Sequence, residues 1–178
     1  MSASPYFFIE VFNHISGKWE KVDLYINKKG EYQPIDVWPW NGAHALFTVV
    51  GCEDSYVIPD FMAIHEGLPV DASQEMHEIY MKQHLEFGVE FDYPEVKYFN
   101  VADAKLYLAE YPFVEDSDTM DEYWTKHDVP FEEVPKMQAA NPLIDLIDRV
   151  GNILSLWDEF WMYGHPWSDV RIIYWVNR

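Results

Sequence analysis

Eight carboxylates and one lysine crowd into residues 114–134, VEDSDTMDEYWTKHDVPFEEV, with Tyr123, Trp124 and Phe131 among them. Three kinds of chemistry suit such a stretch: a cation site, a solvated connector, or an anionic surface for a positively charged partner. Calcium fails on spacing. An EF-hand loop needs oxygen ligands at its first, third and fifth positions, Gly at the sixth and Glu at the twelfth. With Asp116 first and Asp118 third, the fifth is Met120, the sixth Asp121 and the twelfth His127. Apart from loose surface cation binding, a solvated connector and a protein-facing surface remain. On the second reading Glu115, Asp116, Asp118, Asp121, Glu122, Tyr123 and Trp124 combine charge steering with aromatic anchors, as protein interfaces do, and they form the candidate partner-binding surface.

The other reactive side chains are scattered. Of seven histidines, His77 and His84 alone share a regular helical spacing. Seven residues of helix separate them by roughly 10 Å along the axis, too far for two ligands of one zinc ion. His65 precedes Glu66 and His165 lies near Asp169, but neither forms an HExxH or His-x-His pattern. No GxSxG occurs, and Cys52 has no neighbour that would lower its pKa. Ser73 and Ser155 read as a helix start and a wet helix face. The carboxylate pairs Asp145 with Asp148 and Asp158 with Glu159 suit the solvent side of a helix better than acid–base work. Neither GxGxxG nor GxxxxGK[ST] is present among eight glycines, so no phosphate cradle is expected. No catalytic residue, metal ligand or cofactor is assigned.

A chain of 178 residues is the usual size of one domain. Its 49% apolar and 17% aromatic content is enough to offset the entropy of ordering, so a single domain over residues 1–178 is expected. The net charge of −19 repels nucleic-acid phosphate and anionic lipid and favours basic protein surfaces. One cysteine excludes an internal disulfide and suits a reducing compartment, with Cys52 read as a small buried thiol. The opening MSASPYFFIEVFNH lacks a basic n-region and reads as neither signal nor transit peptide. No apolar stretch approaches the roughly 20 residues of a membrane span. A cytosolic protein is expected.

Hydropathy then places the elements. Residues 6–13 read as a strand apolar on both faces, and a turn at Gly17 leads into a second strand over 19–26, with Val22, Leu24 and Ile26 on one side. Residues 27–30 close that strand, and Pro34, Pro39, Trp38 and Trp40 make an irregular crossing. A short helix capped by Asn41 is expected over 42–50. Asp71, with Ser73 as the rival cap, opens a helix over 72–85. A strand over 95–99 leads to a helix begun by Asn100 and Asp103 and ending near Glu110. Asn141 and Pro142 have the chemistry of a cap and a first helical position. From there apolar residues recur at three and four from Leu143 to Trp161, until Gly164 and Pro166. The closing strand over 169–178 is apolar on both sides and belongs inside a sheet. The expectation is an α+β fold: a small antiparallel sheet of the N-terminal hairpin and the C-terminal strand, with a long amphipathic C-terminal helix across one face, and shorter helices.

Three patterns in this order, the opening strand, Gly67-Leu68-Pro69-Val70-Asp71-Ala72-Ser73 before a helix, and Asp169-Val-Arg-Ile-Ile-Tyr-Trp near the end, resemble a loose set of small uncharacterised bacterial and phage proteins. Those proteins carry GLP, then D and S before a helix, and close on a strand like VRIVFW. They usually place a basic residue before the GLP, where this chain has His65-Glu66. The resemblance implies a bacterial or phage origin and no particular activity. Together these readings favour a non-enzymatic module that binds a basic protein surface. The alternatives are a metal-assisted hydrolase, or a small-ligand sensor using Trp38, Trp40 and residues 65–69. Oligomeric state is left open.

Overall fold

The computed structural model describes residues 4–26, 29, 32–34, 64–86, 96–110, 134–157 and 166–177. Strand β1 (Ser4–Asn13) turns at His14–Gly17 into β2 (Lys18–Lys21). There follow β3 (Leu24–Ile26), β4 (Tyr32–Pro34), β5 (His65–Glu66), helix α1 (Gln74–Glu86), β6 (Lys97–Asn100), α2 (Val101–Glu110), α3 (Val134–Trp157), one 3-10 turn (Trp167–Asp169) and β7 (Val170–Asn177). Five strands form one antiparallel sheet in the order β2-β1-β7-β6-β5, and β3 pairs with β4 separately.

The two strands that are apolar on both faces lie in the interior of this sheet, paired from Ser4↔Asn177 to Val11↔Val170. Alternation then divides their side chains between two cores. Phe7, Ile9 and Val11 of β1 and Val170, Ile172 and Tyr174 of β7 pack with Ala104 and Tyr107 of α2 and Leu143, Leu146, Ile147, Val150 and Leu154 of α3. Phe8, Ile173 and Trp175 face the other way, onto Met76, Ile79 and Tyr80 of α1. The architecture is α+β, with helices on both faces of the sheet. Stacked aromatic pairs tie the central strands: Phe7 on Tyr174 at 5.7 Å and Phe8 on Trp175 at 4.8 Å between ring centroids. Such pairs contribute about 0.5–1.5 kcal/mol each beyond the area they bury.

Several expectations are corrected. The second strand is not continuous over 19–26. After Lys21 the chain leaves the sheet, Val22 still donating its N–H to the Ile9 carbonyl at 2.9 Å, and β3 pairs instead with β4. Pro34 lies in that strand and not in an irregular crossing, a position that suits a residue with no N–H to give. The sheet exceeds the hairpin and last strand because β6 joins the free edge of β7 and β5 joins β6. Helix cover is on both faces because β1 and β7 present apolar side chains on both. Asn141 and Pro142 fall inside α3, so the helix does not begin there; Pro135 takes the early position that suits proline. The expected helix over 42–50 and Cys52 lie outside the described residues.

Local chemistry explains the two starts that were foreseen. Asn100 ends β6 and accepts the Ala102 N–H at 2.8 Å through Oδ1, which caps α2. At α1 the rival cap prevails: Ser73 Oγ accepts the Met76 N–H at 3.3 Å, and Asp71 is engaged elsewhere. Gly151 lets α3 approach the 3-10 turn, since a Cβ there would meet the Trp167 ring at 3.3 Å. Leu154, fully buried in the first core, is expected to cost about 2–5 kcal/mol as Leu154→Ala, whereas Ser73→Ala should cost about 1 kcal/mol. Urea unfolding followed by circular dichroism measures both.

Candidate functional site

Sheet register builds the site. Lys21 stands opposite Glu10, Glu10 opposite Arg171, and Arg171 opposite Asn100. A single row thus crosses four strands on the α1 face, with charges alternating along its first three members. Apolar residues lie on one side of that row. On the other, toward the β1–β2 turn, stand Phe12 and Trp19, a facing pair whose rings meet edge to face at 5.4 Å.

Glu10 is 0% exposed yet charged, so every oxygen must be met. Its Oε1 accepts the Ser73 N–H at 2.8 Å and its Oε2 accepts Arg171 Nε–H at 2.8 Å. Arg171 Nη2 also lies 2.6 Å from Oε2, close enough for charge attraction, but its N–H bonds do not point at an acceptor. Arg171 Nη1 donates to Asp71 Oδ1 at 2.7 Å, and the guanidinium lies over the Trp19 ring at 4.0 Å and the Tyr98 ring at 5.9 Å. Trp19 Nε1 donates to Asp71 Oδ2 at 2.9 Å. One arginine therefore joins the sheet, the hairpin and the turn before α1.

The turn itself is shaped residue by residue. Gly67 adopts φ +86°, open to glycine, and donates its N–H to the Val96 carbonyl at 2.7 Å. Leu68 and Ala72 pack against the second core, Pro69 is buried, and its carbonyl accepts the Ala72 N–H at 3.0 Å. Asp71 reaches Arg171, and Ser73 both meets Glu10 and caps α1. The GLPVDAS and DVRIIYW patterns are thus two halves of one junction. Val70 points outward, 98% exposed.

The hairpin turn is pinned in a similar way. Asn13 Oδ1 accepts the N–H groups of Ile15 and Ser16, its carbonyl accepts that of Gly17, and its amide donates to Glu20. His14 Nε2 sits 2.6 Å from the buried Asp169 carboxylate, fastening the turn to the start of β7. Ile15 is left 99% exposed at its tip. Between these two turns lies a groove of about 470 Å³ lined by Phe12, Gly17, Lys18 and Trp19 on one wall and by residues 71–74 and His77 on the other.

Asp71 is the ionisable group on the groove with a resolved shift. Desolvation pushes its carboxyl up, but the hydrogen bond and charge of Arg171, its own backbone N–H and the Trp19 indole outweigh that and hold it below the ordinary aspartate range. At the end of the row burial pulls Lys21 below the ordinary lysine range, against the opposing charges of Glu75 and Glu10. Its ammonium pairs with Asp23.

The candidate surface of Glu115, Asp116, Asp118, Asp121, Glu122, Tyr123 and Trp124 lies outside the described residues, as do Trp38, Trp40 and His165. His77 is exposed on the groove wall, and His65 is exposed and stacks on Tyr98 at 4.8 Å. Asp169 takes His14 as its partner. Among the described residues no three His, Cys, Asp or Glu side chains gather as a metal site, and no helix is long and apolar enough to cross a membrane. Glu10, Arg171, Trp19 and His14 were not singled out by sequence reasoning. The available signal was one acid and one base, each alone within strands apolar on both faces.

Fold and site define a small α+β protein whose sheet is covered on both faces and whose groove has the ion-paired Asp71 on one wall. No family model, curated protein or solved structure compared with the chain matches it.

Removing one member of a buried pair strands the other, so Glu10→Leu and Arg171→Leu should each cost about 3–5 kcal/mol. The double variant should lose about 1–3 kcal/mol less than their sum; additive losses in urea unfolding would disprove the coupling. For Asp71 the folded carboxyl holds its proton less tightly than the unfolded one. Its contribution is therefore complete above the ordinary aspartate pKa and disappears as pH falls through the lowered value. Asp71→Asn should flatten the acid side of the stability–pH curve relative to wild type, measured as urea midpoints.

Proposed function

We propose that this chain is a non-enzymatic module that binds another protein, and that the groove between its two pinned turns is the docking surface. The observation that carries the reading is the pair of almost fully exposed side chains, Ile15 and Val70, on turns fixed by side-chain and backbone hydrogen bonds at either side of that groove. Burying each such side chain against a partner would contribute roughly 1.5–3 kcal/mol. A net charge of −19 favours a basic partner. The acidic stretch over 114–134, including Glu115, Asp116, Asp118, Asp121, Glu122, Tyr123 and Trp124, would act as a second, steering surface for that partner.

Catalysis is less well supported. Glu10 and Arg171 are committed to each other and to the turn, and the His14–Asp169 pair has no serine or cysteine hydroxyl or thiol bonded to it among the described residues. The small-ligand reading rests on the same groove and lacks a use for Ile15 and Val70. The test compares proteins retained from a bacterial lysate by immobilised wild type and by Ile15→Ser/Val70→Ser, with unfolding curves confirming both are folded. Selective loss of a retained protein by the double variant, about tenfold or more in affinity once that protein is purified, is expected. Equal retention by both forms would remove the groove as the docking surface.

A further inference from the structure

Resting on the protein-binding reading, the groove chemistry narrows what its occupant must be. We propose that it receives an arginine side chain, presented by a basic partner segment with apolar residues on either side of that arginine. Asp71 is the acceptor. Its side chain is 62% exposed; of the about four acceptor sites a carboxylate offers, Arg171, Trp19 and its own backbone N–H take three. The site that remains suits one N–H of a guanidinium, and the bonds already made hold the carboxylate still and ionised. Phe12, held edge to face by Trp19 whose own ring already carries the Arg171 guanidinium at 4.0 Å, supplies the aromatic surface on which a planar guanidinium is favoured over a compact ammonium. Ile15 and Val70 then meet the residues flanking the arginine.

An anion is the competing occupant, since Lys18 and the start of α1 both border the groove. The acidic group that this helix start favours is already built in, because Glu10 takes the Ser73 N–H. Glu75 is near enough to act on Lys21, and the whole molecule carries −19. That field and the open face of Asp71 both select a cation. Lys18 opposes it weakly, through an exposed, solvent-screened ammonium.

The probes are synthetic peptides with a central arginine between leucines in a lysine-bearing context, with matched peptides carrying citrulline, lysine or glutamate at the centre, and free arginine amide. Binding is read by fluorescence anisotropy and by two-dimensional amide and indole NMR of the full chain. The arginine peptide should bind at least tenfold more tightly than the citrulline or glutamate peptides, with the Trp19 indole signal moving on binding. Lysine should fall between, and arginine amide should bind far more weakly than the peptide. Lys18→Gln should tighten the arginine peptide and Asp71→Asn should abolish its advantage over citrulline. Because that variant also loses the Arg171 contact, Phe12→Leu serves as the second: it should reduce the preference for arginine over lysine. Citrulline and arginine peptides bound equally at this groove would overturn the proposal and leave the docking reading standing. Binding of arginine amide as tight as the peptide would mean a small-molecule site and overturn it too. Preference for the glutamate peptide would overturn it in favour of an anion site. No binding by any peptide overturns it, and joined to equal lysate retention by Ile15→Ser/Val70→Ser it overturns the docking reading as well.

Discussion

The buried pair of Glu10 and Arg171 is the constraint on which the rest of the described structure depends. Removing two charges from water costs several kcal/mol for each ion, and such a pair is tolerated when its geometry is good and further hydrogen bonds meet the remaining groups. Here Glu10 has Ser73 as its second donor, while Arg171 has Asp71 as a second carboxylate and an indole beneath its plane. The pair also specifies register. A slip of one residue between β1 and β7 would turn Glu10 or Arg171 toward the first core, among Ile9, Val11 and Ile172, with no partner there. Strands that are apolar on both faces carry little register information of their own, so one charge on each supplies what the hydrophobic pattern lacks.

From that pair the connections extend outward in a definite order. Arg171 holds Asp71, and Asp71 with Ser73 fixes the turn that starts α1, so the helix covering the second core is oriented by a contact made in the sheet. Trp19 receives the guanidinium on its ring and donates to Asp71, which brings the hairpin to the same point. The apolar clusters supply most of the free energy of folding. The ionic junction decides which turn sits where above them.

Much of this architecture was legible because local signals were strong and agreed. Phe7, Phe8, Ile9 and Val11, like Val170, Ile172, Ile173 and Trp175, alternate without a wet face, and only interior strands fit that pattern. Asn100 was readable as a cap from residue type and position. The continuous strand over 19–26 was misjudged because alternation persists through Val22 and Leu24 while backbone pairing does not; whether β2 ends at Lys21 depends on hydrogen-bond geometry that period two does not encode. The start of α3 was misplaced because Asn141-Pro142 has the chemistry of a helix start, whereas Val134-Pro135 offers only an early proline and no capping side chain. The site was legible only in its parts. Asp71 looked like a cap from its neighbours in sequence, and its actual partner, Arg171, lies 100 residues away. Long-range pairing of that kind follows from sheet order, which a local pattern cannot supply.

The groove's character follows from how the junction divides its charges. Glu10 and the guanidinium are enclosed and offer little to a visitor, whereas Asp71 lines the groove and keeps part of its carboxylate exposed. An acid held in this way presents a fixed acceptor. A free aspartate would lose rotamer entropy on meeting a partner; one bonded to Arg171 and Trp19 has already lost it during folding. The same reasoning applies to Ile15 and Val70. Each occupies the tip of a turn whose backbone N–H groups donate to Asn13 or to the buried Pro69 carbonyl, so each is held in place before any partner arrives. On the docking reading proposed above, a partner bringing both apolar area and positive charge would complete this surface, meeting Ile15 and Val70 with the one and Asp71 with the other.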